Sequence, residues 1–240
     1  MTDKIRIGTL ISGGGTNLQA IIDSCRKGTI HGEIVFTGSD TPGVKGLERA
    51  ENAGIDTFVV DYSGIISSLR EDMDEARLPG DFDLEQVCNK QNLVGPEVSK
   101  EKTAFFLKSR AVAEKQLLDE ISAYDMDLLV LAGFMRVLTP YFIDRINIEP
   151  GRYRIMNIHP ALLPAFPGTD GYGDTFRYGC KIGGCTVHFI DYGEDTGPII
   201  GQKAFEIEEG DSLEIVRKKG LEKEWELYPA CIQKFAKGLI

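Results

Sequence analysis

A short apolar run, Ile5–Ile11, breaks off into Ser12-Gly13-Gly14-Gly15-Thr16-Asn17, and Leu18, Ile21, Ile22 and Cys25 then recur at helical spacing. A strand that turns through a glycine loop into a helix with one apolar face opens a parallel sheet, because a crossover must carry the chain back before the next strand can pair. The pattern repeats. Residues 33–37 read as a second strand, 47–53 as a helix closed by Gly54, and 57–60 as a third strand. Residues 103–124 place Val112, Leu117, Leu118 and Ile121 on one helical face, and Leu128–Leu131 is apolar throughout, as a strand buried on both faces requires. A helix with Pro140 at its first position follows at 139–146. Strands at 155–158, 186–190 and 199–205 and a closing helix at 212–237, capped by Ser212, complete the chain. Strands alternating with helices predict an α/β fold, a mainly parallel open sheet with helices on both faces. The 240 residues fit a single domain, 1–240, interrupted at about 63–102 by a charged stretch punctuated with Leu78-Pro79-Gly80 and Gly95-Pro96.

Charge and cysteine content narrow the functional classes. A formal net charge of -10 argues against a general nucleic-acid surface, which needs Lys and Arg to neutralise phosphates. It leaves room for a small anion held by a local loop. The apolar runs are far too short to span a bilayer, and Met1-Thr2-Asp3-Lys4 leads directly into a strand with no signal-peptide core. Five cysteines, an odd number without framework spacing, point to a reducing cytoplasm. Cys180, Cys185 and His188 match metal spacing only loosely, so no metal is expected. The expected partners are small-molecule substrates, with neither nucleic acid nor membrane; monomer and homodimer stay open.

Chemistry concentrates at the ends of strands. The glycines of 13–15 permit close backbone approach at a helix N-terminus, where a phosphate would fit, although a tight turn without a ligand has the same sequence. The dinucleotide fingerprint is incomplete because Leu18 stands where a third glycine belongs, though Asp40 leaves a ribose contact open. Asn157 and His159, one residue apart on a strand, point the same way, and Pro160 ends that strand. An amide beside an imidazole suits a carbonyl that becomes an oxyanion, and a carboxylate such as Asp195 would hold the imidazole protonated. A lone His at a strand end is more often structural, so spacing alone makes His159 a candidate. His188 alternates with apolar residues and reads as the lining of a sheet face. Gly133-Phe134-Met135-Arg136-Val137-Leu138 reads either as a core cap or as an apolar slot for a flat ring.

Four segments in this order resemble the phosphoribosylglycinamide formyltransferase family, folate-dependent enzymes of purine synthesis. They are Ser12-Gly13-Gly14-Gly15-Thr16-Asn17, Gly133-Phe134-Met135-Arg136, Asn157-Ile158-His159-Pro160, and Val187-His188-Phe189 with Asp195-Thr196-Gly197-Pro198. The resemblance implies a Rossmann-like formyltransferase fold and transfer of the formyl group of 10-formyltetrahydrofolate, a cosubstrate, to the amine of phosphoribosylglycinamide. It assigns Gly15, Thr16 and Asn17 to the ribonucleotide phosphate and Glu224 to the same substrate. It assigns Met135, Arg136, Val137 and Leu138, and Asp191, Tyr192, Gly193, Glu194 and Asp195, to the folate, with Arg110 near the start of the long helix also at that site. Asn157, His159 and Asp195 match the catalytic trio, of which Asn157 and Asp195 also face the folate.

Two rivals stand beside this expectation. Formyltetrahydrofolate deformylase gives the formyl group to water with the same trio; that family carries an extra N-terminal domain, whereas the first strand here begins at Ile5. A non-catalytic phosphate or folate sensor would not need all three groups. The chain also departs from the family pattern in two places. Thr169-Asp170-Gly171-Tyr172-Gly173-Asp174 carries two glycines that disfavour an early helix, and the stretch at 63–102 is longer than the family's usual connection. That stretch is expected to be an ordered flap beside the folate site, with a surface excursion as the alternative.

Overall fold

The computed structural model describes residues 4–240. Seven strands form one sheet: β1 (Ile5–Ile11), β2 (Gly32–Ser39), β3 (Thr57–Val59), β4 (Leu128–Leu131), β5 (Ile155–His159), β6 (Ile182–Phe189) and β7 (Ile199–Glu206), in the order β3-β2-β1-β4-β5-β6-β7. The pairings from β3 through β5 are parallel; β6 and β7 add antiparallel. The mainly parallel open sheet expected from the sequence is therefore the sheet observed. β1 lies between β2 and β4, so the direction of winding reverses there, and the crevice at the carboxyl ends of β1 and β4 is the place such a sheet offers a ligand.

Among the described residues eight α-helices surround it: α1 (Thr16–Arg26), α2 (Lys45–Asn52), α3 (Tyr62–Glu71), α4 (Leu84–Lys90), α5 (Lys100–Ile121), α6 (Pro140–Ile146), α7 (Gly171–Arg177) and α8 (Leu213–Ala236). The period of two along each strand divides the core. Leu128, Val130 and Met156 join α1, α2 and α8 on one face, through Leu18, Ile21, Leu47, Tyr228 and Ile232. Leu129, Leu131 and Ile155 join α5 and α6 on the other, through Leu117, Ile121, Phe142 and Ile143. Tyr228 of α8 donates its hydroxyl to the Leu131 and Met156 carbonyls, at 3.1 and 2.9 Å, and so fixes the ends of β4 and β5 that carry the site. Among the described residues no helix is long and apolar enough to cross a membrane.

Two stretches where the sequence departs from the family pattern take defined structure. The stretch at 63–102 contains α3 and α4, each capped by an aspartate: Asp61 accepts from Gly64 N and Asp83 from Gln86 N. Its apolar residues build a small core of their own, Val87 and Phe82 against Leu107, Ala111 and Tyr141. The glycines at 171 and 173 do not delay α7, which begins at Gly171. A Cβ on Gly171 would stand 2.6 Å from the Pro160 carbonyl oxygen. Close approach of the helix to the turn after His159 overrides the propensity cost.

Candidate active site

β5 ends on His159 and pairs antiparallel with β6, which sets Asn157 opposite His188 and His159 opposite Thr186. Asn157, His159 and His188 thereby share one sheet face. The loop after β6 then brings Asp195 over them. Asp195 has a φ of 55°, a left-handed conformation unusual for a residue with a side chain. Its Oδ2 lies 3.1 Å from His159 Nδ1 and accepts from Gly168 N at 2.9 Å, while Oδ1 lies 3.5 Å from His188 Nε2. The three groups picked out from the sequence are thus together, and a fourth, His188, belongs with them.

His159 is 2% exposed, and its Nε2 lies 2.7 Å from the Phe166 carbonyl oxygen. Both ring nitrogens face oxygen acceptors, an arrangement in which only the imidazolium donates on both sides. Its second N–H, expected to meet an oxyanion, is engaged by Phe166 O in this structure. Among the described residues the Asn157 amide is held by a long 3.5 Å contact to His188 Nε2 and is the freer donor. Burial pushes the Asp195 carboxyl up, but hydrogen bonds from His188 and Gly168 N, with the charges of both imidazoles, outweigh it and hold the group below the usual carboxylate value.

Two cavities flank this cluster. One, of about 150 Å³, is walled by Leu131, Leu138 and Ile190 and reaches Asn157, His159 and Asp195; Met135, Arg136, Val137, Gly193 and Glu194 also line it. The other, of about 470 Å³, is lined by the glycine loop with Thr16, Asn17 and Glu224. Gly133, Met135, Ile158, Pro160 and Thr169 line both, so the cavities adjoin.

The glycine loop takes its shape from its own backbone. Gly15 precedes α1 with a φ of 69°, and a Cβ there would meet Gly46 Cα at 2.7 Å, so α2 packs directly on the loop. Asn17 donates to Glu224 Oε2 at 2.6 Å, and Tyr172 donates to Oε1 at 2.6 Å. Burial raises the Glu224 carboxyl above its usual value against those two hydrogen bonds. Asn17 Oδ1 is a buried acceptor without a protein partner among the described residues.

Three residues that the resemblance assigns to the folate do not line the narrower cavity. Arg110 is mid-helix, because α5 begins at Lys100, and its guanidinium lies between the rings of Tyr62 and Phe106, 5.6 and 5.4 Å from their centroids. Asp191 turns inward to accept from Gly193 N and Thr196 Oγ1, closing its loop. Tyr192 points outward to Asp144. Asp40, for which a ribose contact stood open, is occupied by Arg136, which also donates to Ser63 Oγ at 3.0 Å. Among the described residues no group of three His, Cys, Asp or Glu side chains is placed to hold a metal ion.

The sequence model of the formyl transferase family matches residues 5–232. The chain belongs to the formyl transferase family. Phosphoribosylglycinamide formyltransferase of Bacillus subtilis (strain 168) is 30% identical, over 95% of this chain and 93% of that protein. Its namesake in Escherichia coli (strain K12) is 32% identical, over 98% and 88%. The trifunctional purine biosynthetic protein adenosine-3 of Gallus gallus is 33% identical across all of this chain, which spans 19% of that longer protein. Among solved structures, glycinamide ribonucleotide transformylase 1 from Symbiobacterium toebii superposes with a TM-score of 0.73 at 38% identity, covering 99% of this chain and 90% of that one. The formyl transferase motifs read from the sequence fall at the carboxyl ends of β1, β4, β5 and β6 or in the loop that carries Asp195. His188 was missed because alternation along β6 assigns it a sheet face without saying which residue faces it. The signal that could have found it was its parity with Thr186 in a strand antiparallel to Asn157 and His159.

Proposed function

We propose that the chain transfers the formyl group of 10-formyltetrahydrofolate to the amine of phosphoribosylglycinamide. The observation that carries this reading is the shared wall between the two cavities, beside Asn157 and His159. A phosphate suits the glycine loop and the N-terminus of α1, and the orphan acceptor Asn17 Oδ1 suits a hydroxyl or amine of the same substrate. The narrower cavity, apolar with polar edges, fits a flat pterin ring. The formyl carbon would then lie where the amine, entering from the other side, can reach it.

In this reading the amine nitrogen bonds to the formyl carbon and the formyl oxygen takes up negative charge. The Asn157 amide donates to that oxygen. The charge of the His159 imidazolium, held by Asp195, favours the same intermediate. Collapse breaks the bond to the folate nitrogen; the amine gives up a proton and the departing nitrogen gains one. Asp195 and His159 are the groups able to move it. The test is formyl transfer measured with and without the ribonucleotide. Tetrahydrofolate release that requires the amine is expected. Release without it would mean hydrolysis, and no turnover would mean a binding module.

A further inference from the structure

The position of Asp195 depends on a loop that its own hydrogen bonds do not locate. Asp191 closes the turn internally and Asp195 meets His159, His188 and Gly168 N, but these contacts leave residues 192–194 to be held by other groups, and the left-handed backbone of Asp195 has to be enforced by its surroundings. The ties from outside come from the end of α4, the stretch that follows it, and α6. Asn92 N donates to the Tyr192 carbonyl at 2.8 Å, making a single bridge to Gly193. Tyr192 donates its hydroxyl to Asp144 Oδ1 at 2.5 Å, and Lys90 donates to Asp144 Oδ2 at 2.5 Å. The Lys90 ammonium also lies 5.7 Å from the Tyr192 ring centroid. The turn that presents Asn92 is itself built for the purpose, since Gln91 Oε1 accepts from the amides of Leu93 and Val94 at 2.7 and 2.8 Å.

We propose that Lys90 and the Asn92 backbone are positioning elements of the active site, which hold the loop 191–195 so that Asp195 meets His159 and Gly193 and Glu194 close one wall of the folate-side cavity. Asp144 is the shared anchor: each of its oxygens takes one donor, so Lys90 fixes the carboxylate that fixes Tyr192. The charge of Lys90 acts at a distance from the reacting atoms, through the loop. Its effect therefore falls on the side of the site that the loop walls and leaves the glycine loop untouched. The kinetic half of this proposal rests on the formyl-transfer reading; the half that concerns loop order does not.

The experiment compares the native chain with Lys90→Met, which keeps the apolar stem and removes the charge, with Lys90→Arg, which keeps the ion pair, and with Asn92→Pro, which removes the backbone donor. Amide hydrogen exchange of Tyr192 to Asp195 is read first, then KM for each substrate. In Lys90→Met, exchange in this loop is expected to quicken roughly tenfold while β5 and β6 stay protected. KM for 10-formyltetrahydrofolate should rise roughly three- to tenfold with KM for the ribonucleotide unchanged, and Lys90→Arg should restore both. Unchanged exchange in the loop, or both KM values rising together as a general loss of stability would give, overturns the proposal. If Asn92→Pro does not fold, Lys90→Met and its rescue decide alone. If the native chain transfers no formyl group, the functional reading falls and the exchange result still decides whether Lys90 braces the loop.

Discussion

The two cavities that meet beside His159 are built in opposite ways. The glycine-loop side is centred on neighbours in sequence: residues 12–17 turn one strand into one helix, and that turn faces the wider cavity, which Tyr172, Arg217 and Glu224 close from distant parts of the chain. The side proposed for the folate is made almost wholly by groups far apart in the chain, with Asp195 reaching back to His159 and His188, and Arg136 held between Asp40 and Ser63. A surface of backbone amides at a helix N-terminus is set once the turn forms. A surface of converging side chains is set only when several loops each stand in the right place. The two sides should therefore fail differently: mutations on the first should act through space and strain, and mutations on the second through charge and position.

The largest effect is expected where the second kind of construction is most concentrated. Asp195→Asn keeps the shape and one acceptor oxygen but removes the charge that faces both imidazoles. Turnover should fall by roughly 10² or more with little change in either KM, because the imidazolium matters most as charge develops on the formyl oxygen. A variant with near-native kcat would remove Asp195 from the chemistry.

The glycine loop offers a cleaner separation of binding from stability. A Cβ on Gly14 meets nothing within 4 Å, so Gly14→Val should leave the unfolding free energy within about 0.5 kcal/mol of native while obstructing the cavity. KM for the ribonucleotide should rise roughly tenfold or more, and KM for the formyl donor should not. Gly15→Val should behave in reverse: its left-handed backbone and the 2.7 Å approach to Gly46 predict a loss of about 2–4 kcal/mol in stability. Denaturant titrations beside kinetics on the two variants decide it, and equal effects at the two glycines would erase the distinction.

His188 sharpens the comparison further. Its hydrogen bond to Asp195 helps to keep that carboxyl below the usual value. In His188→Gln the carboxyl should rise, so the acid limb of the kcat/KM profile should move to higher pH, with a loss of only several-fold at the optimum. An acid limb that stays in place would confine His188 to packing.

The contrast between the two sides also explains what the sequence could disclose. Strand and helix periods, the glycine loop and the Asn157-Ile158-His159 spacing are local patterns, and the sheet, the helices on both faces and the end of β5 follow from them. Asp195 could be offered as a partner for His159 on chemical grounds, but with 36 residues separating the two only the family resemblance brought them together before the structure did. His188 was not legible because its partner is set by strand register, which no single segment encodes. Arg110 illustrates the cost of carrying a role across an altered neighbourhood. Helix α3 brings Tyr62 beside it and α5 starts at Lys100, and two of its nitrogens are buried without a hydrogen-bond partner among the described residues. The glycines of α7 misled in the other direction, because a contact with the Pro160 carbonyl outweighs local propensity.

The smallest effect on turnover, and a distinct one on stability, is expected at Glu114. It is fully buried on α5 and accepts from Thr139 N at 2.7 Å and Thr139 Oγ1 at 2.5 Å, which anchors the start of α6 and hence the helix that carries Asp144. Burial pushes its carboxyl up to about 7 against the hydrogen bonds from Thr139 and the charges of Arg110 and Arg145. A carboxyl raised on folding favours the folded state most below its unfolded value of 4.5, and that contribution is lost as pH rises through about 7. Asp195, lowered on folding, has the opposite sign: its contribution is present above the ordinary carboxylate range and is lost as pH falls through its folded value. The native chain should therefore lose roughly 1–3 kcal/mol from Glu114 between pH 5 and pH 8, and Glu114→Gln should flatten that slope while leaving kcat and the acid limb where they are. Asp195→Asn should leave the neutral slope intact and flatten the acid one. Urea unfolding of the three proteins at pH 2.5, 3.5, 5, 6.5 and 8 tests both signs together, and parallel stability curves for the native chain and Glu114→Gln would show that Glu114 is already matched by its surroundings.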